Sequence, residues 1–328
     1  MSGMRIGAWR VDRELGRGGM ATVYAVAHAR FGKRAALKLA HRAVLGPQFT
    51  PATFLREARI ANLIGHPGVA EVFATGTYDG RPYLAMERLV GRSLGARVDA
   101  GALPRDEALE ILIELCDVLA AAHAAGVTHR DLKLDNVFLL DEPGAGGRRI
   151  KLLDWGMARI AGEDDPLRGL VAGTLTYVAP EQLRSEETTP ASDVYSLAVL
   201  AYLLLVGEPP FQGKADLELI RKHLDEPPPP PRALWNTIPR PLEDTLIAML
   251  AKHPEDRPSL GEIVRVLREA HARVRASQRR WLAPRVVPPT DVIGRPALAL
   301  LANPQARVAS AALGIALTIA SLLQVLSA

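Results

Sequence analysis

The chain has 328 residues, 48% of them hydrophobic and 23% charged, a composition typical of a folded protein with two lobes or domains. Its formal net charge is +4, but the nine arginines of residues 265–307, opposed by Glu269 and Asp291, contribute +7. Because the basic charge belongs to this one segment, which lacks interleaved aromatic residues, the composition argues against a nucleic-acid-binding domain, and no nucleic-acid partner is expected.

The first part of the chain predicts a small β-rich region followed by one helix. Residues 5–40 alternate apolar and polar side chains between glycine-rich breaks, which predicts short antiparallel strands and hairpins. Residues 51–64 have a proline near the start and helical apolar spacing, and Gly65 and Pro67 would end that helix. Two more strand-like runs follow up to Met86.

The later part predicts mainly helices, at residues 104–125, 191–206, 239–252 and 259–275. The single cysteine, Cys116, lies in the first of these as a small core residue; it excludes an internal disulfide and favours a reducing compartment. The proline run at 226–232 predicts a rigid connector. Strands first and helices later indicate an α+β protein with unequal lobes.

Two features of the strand region could bind an anion. Glycines at 16, 18 and 19 in LGRGGMATVY (15–24) allow close backbone approach, although an ordinary hairpin turn would also explain them. Lys38 is one of only seven lysines against 33 arginines, so its retention invites a chemical reason. A lysine in a half-buried strand needs an anionic partner, and Glu57 in the following helix is the candidate, although such a pair could also be structural.

Charged side chains crowd THRDLKLDN (128–136), which is either a solvated turn or a site where charges face one another. Downstream, Asp154 follows an apolar strand in IKLLDWG. Asn136 and Asp154, completed by phosphate oxygens, suit Mg²⁺, and Asp131 is then free to orient an attacking hydroxyl. The fixed order of these motifs favours the active-site interpretation.

In this order the motifs resemble those of eukaryotic-type (Hanks-type) Ser/Thr protein kinases of the bacterial kind, over about residues 9–275. The resemblance implies a bilobal fold with a small antiparallel-sheet N-lobe containing one helix, about 9–87, and a larger, mainly helical C-lobe, about 88–275. It also implies ATP and Mg²⁺ as cofactors and proteins with Ser/Thr acceptors as substrates. A pseudokinase scaffold and a small-molecule kinase are the alternatives.

The family motifs carry over residue by residue. The nucleotide-binding residues implied are Leu15, Gly16, Arg17, Gly18, Gly19, Val23, Ala36, Lys38, Glu57, Met86, Glu87 and Leu89. The catalytic residues implied are Asp131, Lys133, Asn136 and Thr174, with Asn136 and Asp154 as the metal ligands. Structural anchors are implied at Asp193 and at Arg257, the latter as the partner of Glu181.

The resemblance also implies roles. Lys38, held by Glu57, would grip the α- and β-phosphates, and Asp131 would accept the proton of the substrate hydroxyl. Lys133 would neutralise charge on the transferred phosphate, and Thr174 would pack on Asp131 and Lys133. Trp155 replaces the usual phenylalanine after the metal-binding acid, and its ring is expected to pack against the helix that carries Glu57. Ala21 and Leu134 also depart from the pattern without removing a reacting group.

The segment after Asp154 contains no Ser, Thr or Tyr before Gly173. Arg130 resembles the arginine that many relatives pair with a phosphorylated residue of this segment. Glu163, Asp164 and Asp165 lie in a row there, and we predict that Asp164 or Asp165 takes the place of the phosphate. The alternative is that the three acids form a solvated turn.

The C-terminal part predicts a membrane anchor. Residues 308–326 contain no charge over the length that a bilayer requires, although a soluble amphipathic helix remains the alternative. The Arg/Pro-rich linker 276–307 would lie along anionic lipid headgroups, which places a single-pass protein in the cell membrane with its kinase domain cytoplasmic. Small residues recur every four positions, at Ser310, Gly314 and Thr318 and at Ala312, Ala316 and Ala320, which predicts a homodimer.

Overall fold

One six-stranded antiparallel sheet forms most of the N-terminal lobe. The computed structural model describes residues 4–46, 49–165, 167 and 174–282, with side chains as far as residue 277. The strands are β1 (Arg5–Ile6), β2 (Trp9–Arg17), β3 (Ala21–His28), β4 (Arg34–Ala40), β5 (Val72–Tyr78) and β6 (Arg81–Met86). They pair in the order β1-β2-β3-β4-β6-β5, so β4 lies near the centre of the sheet.

The helix α1 (Pro51–Ile64) begins and ends where the sequence predicts. The Thr50 hydroxyl accepts a hydrogen bond from the Thr53 N–H at 3.2 Å, which caps the N-terminus next to the helix-initiating proline. At the other end Gly65 adopts the left-handed conformation, with φ 57°, which glycine takes without steric cost. Phe54 and Ala58 pack against Ala21, Ala40 and Leu84 of the sheet, so α1 covers one of its faces.

The C-terminal lobe is mainly helical and contains the largest hydrophobic core. Its helices are α2 (Leu94–Asp99), α3 (Arg105–Ala124), α4 (Pro180–Leu183), α5 (Pro190–Val206), α6 (Asp216–Asp225), α7 (Arg240–Met249) and α8 (Leu260–Leu282). The four helices predicted from apolar periodicity are α3, α5, α7 and α8. Helices α2, α4 and α6 were not predicted. They have six, four and ten residues, so each has too few turns for a helical repeat of apolar residues to be recognised.

Short strands at the lobe boundary position the charged motifs. They are β7 (Gly91–Ser93), β8 (Val127–Thr128), β9 (Val137–Leu140), β10 (Ile150–Leu152) and β11 (Arg159–Ile160). β9 lies between β7 and β10, and β8 pairs with β11. The predicted α+β arrangement of two unequal lobes is therefore confirmed, and the motif 128–136 lies between β8 and β9.

The chain divides into two units, Met1–Arg280 and Trp281–Ala328. Within the described residues, none of the helices combines the length and the hydropathy that crossing a bilayer requires. The predicted membrane segment 308–326 and residues 283–307 of the predicted linker lie outside the described residues.

A buried ion pair joins two distant parts of the C-terminal lobe. Arg257 donates to both carboxylate oxygens of Glu181, at 2.7 and 2.8 Å, as predicted. Both side chains are almost fully buried, with exposures of 0% and 1%. Arg257 also donates to the carbonyls of Ala191 and Ala251, so most of its donors are satisfied. This geometry offsets the cost of removing both charges from water.

We therefore expect Arg257→Ala to lower the free energy of unfolding by about 3–5 kcal/mol, because the Glu181 carboxylate would stay buried without a partner. Arg265→Ala is the matched control, since Arg265 pairs with Glu269 on the exposed face of α8 and such pairs contribute only about 0.3–0.5 kcal/mol. Urea titration measures both variants. Equal destabilisation by the two substitutions would show that the buried pair has no special role.

Candidate active site

A cavity of about 610 Å³ opens where the sheet of the N-terminal lobe meets the charged motifs of the C-terminal lobe. Most of the predicted nucleotide and metal residues line it: Leu15, Gly16, Val23, Ala36, Lys38, Glu57, Met86, Glu87, Leu89, Asn136 and Asp154. Leu15 and Asp154, 139 positions apart in the sequence, therefore share one cleft, as the motif order predicts.

Three predicted residues of the glycine-rich turn do not line this cavity: Arg17, Gly18 and Gly19. The Gly18 N–H donates to the Ala21 carbonyl at 2.9 Å and closes the turn between β2 and β3. The Arg17 guanidinium points to the exposed Glu14 carboxylate at 3.3 Å. The tip of the turn, residues 17–19, therefore does not line the cavity, whereas Leu15 and Gly16 before it do.

Lys38 connects both lobes. Its Nζ atom lies 2.7 Å from Glu57 Oε2 on α1 and 2.8 Å from Asp154 Oδ1 after β10. The predicted Lys38–Glu57 pair is thus present, and Asp154 adds a second carboxylate. All three side chains meet because Lys38 occupies the face of β4 toward α1, while α1 buries Glu57 against the sheet.

The charges of Lys38, Glu57 and Asp154 influence one another's pKa. Burial lowers the pKa of Lys38, but the two carboxylates more than offset this, so its pKa lies above the ordinary value. The Lys38 charge holds the pKa of Asp154 below its usual range. Burial raises the pKa of Glu57, and Lys38 opposes that rise. The arrangement favours an ammonium group beside an ionised Asp154, which can face phosphate oxygens and a metal ion.

The loop of residues 128–136, named the catalytic loop below, binds one of the two carboxylate oxygens of Asp131 through described residues. Asp131 Oδ2 accepts hydrogen bonds from Lys133 Nζ at 2.7 Å and from Asn136 Nδ2 at 3.1 Å. Asn136 Nδ2 also donates to the Asp131 carbonyl at 2.7 Å, so its side-chain oxygen remains available as a ligand. Asp131 Oδ1 has no hydrogen bond with a described residue and can accept one from a hydroxyl.

The buried carboxylate of Asp193 fixes the backbone of this loop. Asp193 accepts hydrogen bonds from the backbone N–H groups of His129 at 2.8 Å and Arg130 at 2.9 Å, and from the His123 ring at 2.8 Å. Arg130 and Asp154 both have positive φ, 67° and 60°, a conformation that costs free energy for residues with a side chain. The Asp193 bonds offset part of that cost at Arg130, which directly precedes Asp131.

Trp155 fills the space behind the metal-binding acid. Its side chain is buried, and its ring lies edge-on to the His129 ring with the centroids 4.5 Å apart. The indole Nε1 donates to the Leu152 carbonyl at 3.3 Å. Trp155 belongs to the same hydrophobic cluster as Ile60 and Ile64 of α1, which agrees with the predicted packing against that helix.

Thr174 does not make the contact that the resemblance implies. Its side chain is exposed and forms no hydrogen bond with Asp131, Lys133 or any other described residue. It lies directly after residues 168–173, which fall outside the described part of the chain. The structure therefore leaves its catalytic role a prediction.

The segment after β6 presents backbone groups to the cavity. The Glu87 N–H donates to the Glu71 carbonyl at 2.8 Å, which fixes this segment against the residue before β5. The Glu87 carbonyl and the Leu89 N–H have no partner among the described residues, while both residues line the cavity. An acceptor and a donor two residues apart match the hydrogen-bonding edge of a purine.

Lys151 was not predicted as a site residue, but it anchors the segment that contains Glu87. Lys151 lies on β10 with its side chain 8% exposed, and its Nζ donates to Glu87 Oε2 at 2.7 Å and to the Val69 carbonyl at 3.3 Å. The scarcity of lysine was the available signal. Its partner could not be inferred, because 64 residues separate the two.

Two other missed residues, Phe138 and Leu152, form apolar parts of the cavity wall. Each lies two positions from a predicted metal ligand, Phe138 after Asn136 and Leu152 before Asp154. Strand alternation could not have identified them from those ligands, because Asn136 precedes β9 and Asp154 follows β10 with a positive φ. Ala70 and Val72 also line the cavity, likewise without a signal in the sequence.

The residues present fit a nucleotide with a divalent cation. Asp154 and Asn136 supply hard oxygen ligands, and Lys38 supplies positive charge for phosphates. No group of three or more His, Cys, Asp or Glu side chains that could hold a metal occurs among the described residues. The two oxygen ligands of Asn136 and Asp154 suit Mg²⁺, because this ion commonly relies on substrate phosphates to complete its shell.

Comparisons with known proteins agree with this geometry. Residues 9–267 match the family model described as protein kinase domain. The chain is 38% identical over 284 residues to the serine/threonine-protein kinase Pkn1 of Myxococcus xanthus, with 85% of this chain and 41% of Pkn1 covered. It is 35% identical over 318 residues to the serine/threonine-protein kinase PknA of Mycobacterium tuberculosis, with 94% and 70% covered.

Among solved structures, the kinase domain of Mycobacterium tuberculosis PknI superposes with a TM-score of 0.64 at 28% identity, with 82% of this chain and 98% of that domain covered. The chain spans less than half the length of Pkn1 and of the probable serine/threonine-protein kinase PknB of Corynebacterium glutamicum, 41% and 40% respectively.

Because Lys151 holds the segment that is expected to face a purine, Lys151→Met should raise the dissociation constant for ATP about fivefold. The substitution keeps the aliphatic stem and leaves the Glu87 carboxylate without its partner. Lys214→Met is the matched control, since Lys214 is exposed and far from the cavity. Fluorescent-nucleotide competition measures both. A fall in melting temperature with unchanged ATP affinity would reduce Lys151 to a stabilising residue.

Proposed function

Since the chain belongs to the protein kinase family, we propose that it is an ATP-dependent protein kinase that phosphorylates serine and threonine hydroxyls of proteins. The observation that carries the proposal is the hydrogen-bonded site itself. Lys38 joins Glu57 and Asp154, and Asp131 presents a free carboxylate oxygen beside Lys133. Lys38, Glu57, Asn136 and Asp154 line the cavity, and Asn136 hydrogen-bonds Asp131, so the groups that phosphoryl transfer needs for positioning and charge neutralisation lie together.

The residues divide the work as follows. Lys38, oriented by Glu57, would contact the α- and β-phosphates, and the backbone of Glu87 and Leu89 would hold the purine. Asn136 and Asp154 would hold Mg²⁺, which supplies positive charge to the phosphates when bound. Asp131 would orient the acceptor hydroxyl and take its proton on Oδ1. Lys133, bonded to Asp131 Oδ2, would neutralise charge on the transferred group.

Two alternatives receive less support. A pseudokinase scaffold would be expected to lack a reacting group, but the strand lysine, the helix glutamate, the loop aspartate and the metal ligands are all present. A small-molecule kinase would share the Asp131 and Asn136 loop. It would not be expected to carry the Glu181–Arg257 anchor, which is buried here.

With ATP and Mg²⁺, we expect the full chain to transfer labelled phosphate to a protein acceptor such as casein or myelin basic protein, on serine and threonine. Asp131→Asn should lower kcat by about a hundredfold or more, because proton transfer by a positioned base contributes on that scale. Its ATP affinity should stay near that of the natural chain. Asp154→Ala should instead lose Mg²⁺-dependent ATP binding. Unlabelled acceptor with normal ATP binding would identify a scaffold.

We further propose that residues 308–326 form a single-pass anchor in the cell membrane, that the kinase domain faces the cytoplasm, and that the anchor pairs two copies. The support is the uncharged stretch, the arginines at 295 and 307 that precede it and the small-residue spacing around Gly314. The linker 276–307 would then contact anionic lipid.

For this anchor we expect the full chain to remain with membranes after carbonate extraction. Ala316→Arg should release it, since an arginine at the centre of a membrane helix costs about 2.5–3.5 kcal/mol. Gly314→Leu should keep the chain in the membrane and weaken dimerisation in a membrane reporter assay. Recovery of the natural chain in the soluble fraction would refute the anchor.

A further inference from the structure

The acidic run Glu163, Asp164 and Asp165 contacts two separate parts of the active site. It follows β11 in the activation segment, the stretch between Asp154 and Glu181. Glu163 and Asp165 turn inward toward arginines, while Asp164 between them is exposed and forms no ion pair with a described residue. The three acids therefore do not form one solvated turn.

Asp165 binds the arginine that precedes the catalytic aspartate. Its two carboxylate oxygens accept from Arg130 NH1 at 2.6 Å and Arg130 NH2 at 3.2 Å. The Arg130 side chain is 6% exposed and that of Asp165 is 12% exposed, so the pair is largely removed from water. Arg130 Nε donates to the Met157 carbonyl at 2.6 Å. Without Asp165, a buried guanidinium would have no counter-charge.

Local contacts hold Asp165 in this place. Its Oδ1 atom also accepts from the Leu167 N–H at 3.2 Å, and the Leu167 side chain is buried. Burial raises the pKa of Asp165, but the bond and charge of Arg130 outweigh that, so its pKa lies below the usual value. Asp165 is therefore ionised at neutral pH.

Glu163 reaches the helix that carries Glu57. Its carboxylate accepts from Arg59 NH2 at 2.6 Å and Arg59 NH1 at 3.1 Å, and Arg56 NH2 lies 3.8 Å away. Arg56 directly precedes Glu57 on α1, and its NH1 donates to the Ala158 carbonyl at 2.8 Å. Arg59 is 63% exposed, so this pair contributes less than the buried Asp165 pair.

From these contacts we propose that Glu163 and Asp165 are positioning residues of the kinase, which hold α1 and the catalytic loop in their working places without phosphorylation of the activation segment. The inference rests on the proposed function. Asp165 orients the loop through Arg130, and Glu163 orients Glu57 and hence Lys38 through α1. The chain between Asp154 and Gly173 contains no hydroxyl side chain that could carry a phosphate, and the hydroxyls of the activation segment come only later, at Thr174, Thr176 and Tyr177.

The two acids should affect different kinetic constants. Loss of the Asp165 charge disturbs the loop that carries Asp131, so Asp165→Asn should lower kcat by about tenfold or more. Loss of the Glu163 charge loosens α1 and the Lys38 grip on phosphates, so Glu163→Gln should raise the KM for ATP about threefold. Asp164→Asn makes the same charge change without losing a pair and should stay within about twofold on both constants.

The experiment uses the full chain treated with phosphatase, with intact mass recorded before and after the assay to show that it carries no phosphate. Arg59→Glu alone should raise the KM for ATP. Combining it with Glu163→Arg exchanges the two charges and should return the KM most of the way to that of the natural chain. If the exchanged pair kept the KM of Arg59→Glu alone, the Arg59–Glu163 contact would not be what positions α1.

Three results would overturn the proposal. In the first, the unphosphorylated chain is inactive and gains activity on phosphorylation. In the second, Asp164→Asn lowers kcat as much as Asp165→Asn does. In the third, Glu163→Gln and Asp165→Asn both leave kcat and the KM for ATP unchanged. The proposed function fails separately, if the natural chain and Asp131→Asn incorporate equally little phosphate under every condition. In that case direct ATP binding still tests the Glu163 arm, because Glu163→Gln should weaken it and Asp164→Asn should not.

Discussion

The contact of one ammonium group with two carboxylates organises this molecule. Lys38 Nζ touches Glu57 from α1 and Asp154 from the segment after β10, so a single charge connects the sheet, the N-lobe helix and the C-lobe. A buried ammonium without partners would be costly, and so would either carboxylate alone. The cleft therefore has its working electrostatics only when the two lobes and α1 are together. Because the three charged groups depend on one another, contacts that hold α1 and the catalytic loop in place also affect the site.

Successive groups of polar contacts hold those elements. Asp193 fixes the backbone of the catalytic loop from the C-lobe core, and the buried Glu181–Arg257 pair fixes the end of the activation segment. On the open side, Asp165 and Glu163 of the activation segment bind arginines of the catalytic loop and of α1. A carboxylate carries one charge where a phosphate carries nearly two, but it is permanent. The arrangement favours an activity that does not depend on phosphorylation of this segment.

Departures from the family pattern leave the reacting groups intact. The larger ring of Trp155 fits because it packs edge-on against His129 within the core cluster shared with α1, and its indole nitrogen finds a carbonyl. Lys151 is a second case, where a buried lysine on β10 binds the carboxylate of Glu87 in the segment that lines the cavity. In both places a polar atom enters the interior with its partner, as buried polar groups require.

The sequence by itself determined what depends on local chemistry. Proline near the start and Gly65 and Pro67 at the end placed α1 at residues 51–64, because helix boundaries and φ limits depend on residues within a few positions. Motif order assigned Lys38, Asp131, Asn136 and Asp154, because phosphoryl transfer needs those groups. Tertiary structure alone decided that Asp165 and not Asp164 binds Arg130, that Glu163 pairs with Arg59, that Lys151 meets Glu87, and that Thr174 is exposed. Adjacent acids look alike in a sequence. Which of them faces inward is set by the packing of segments that lie 35 to 104 residues apart in the chain.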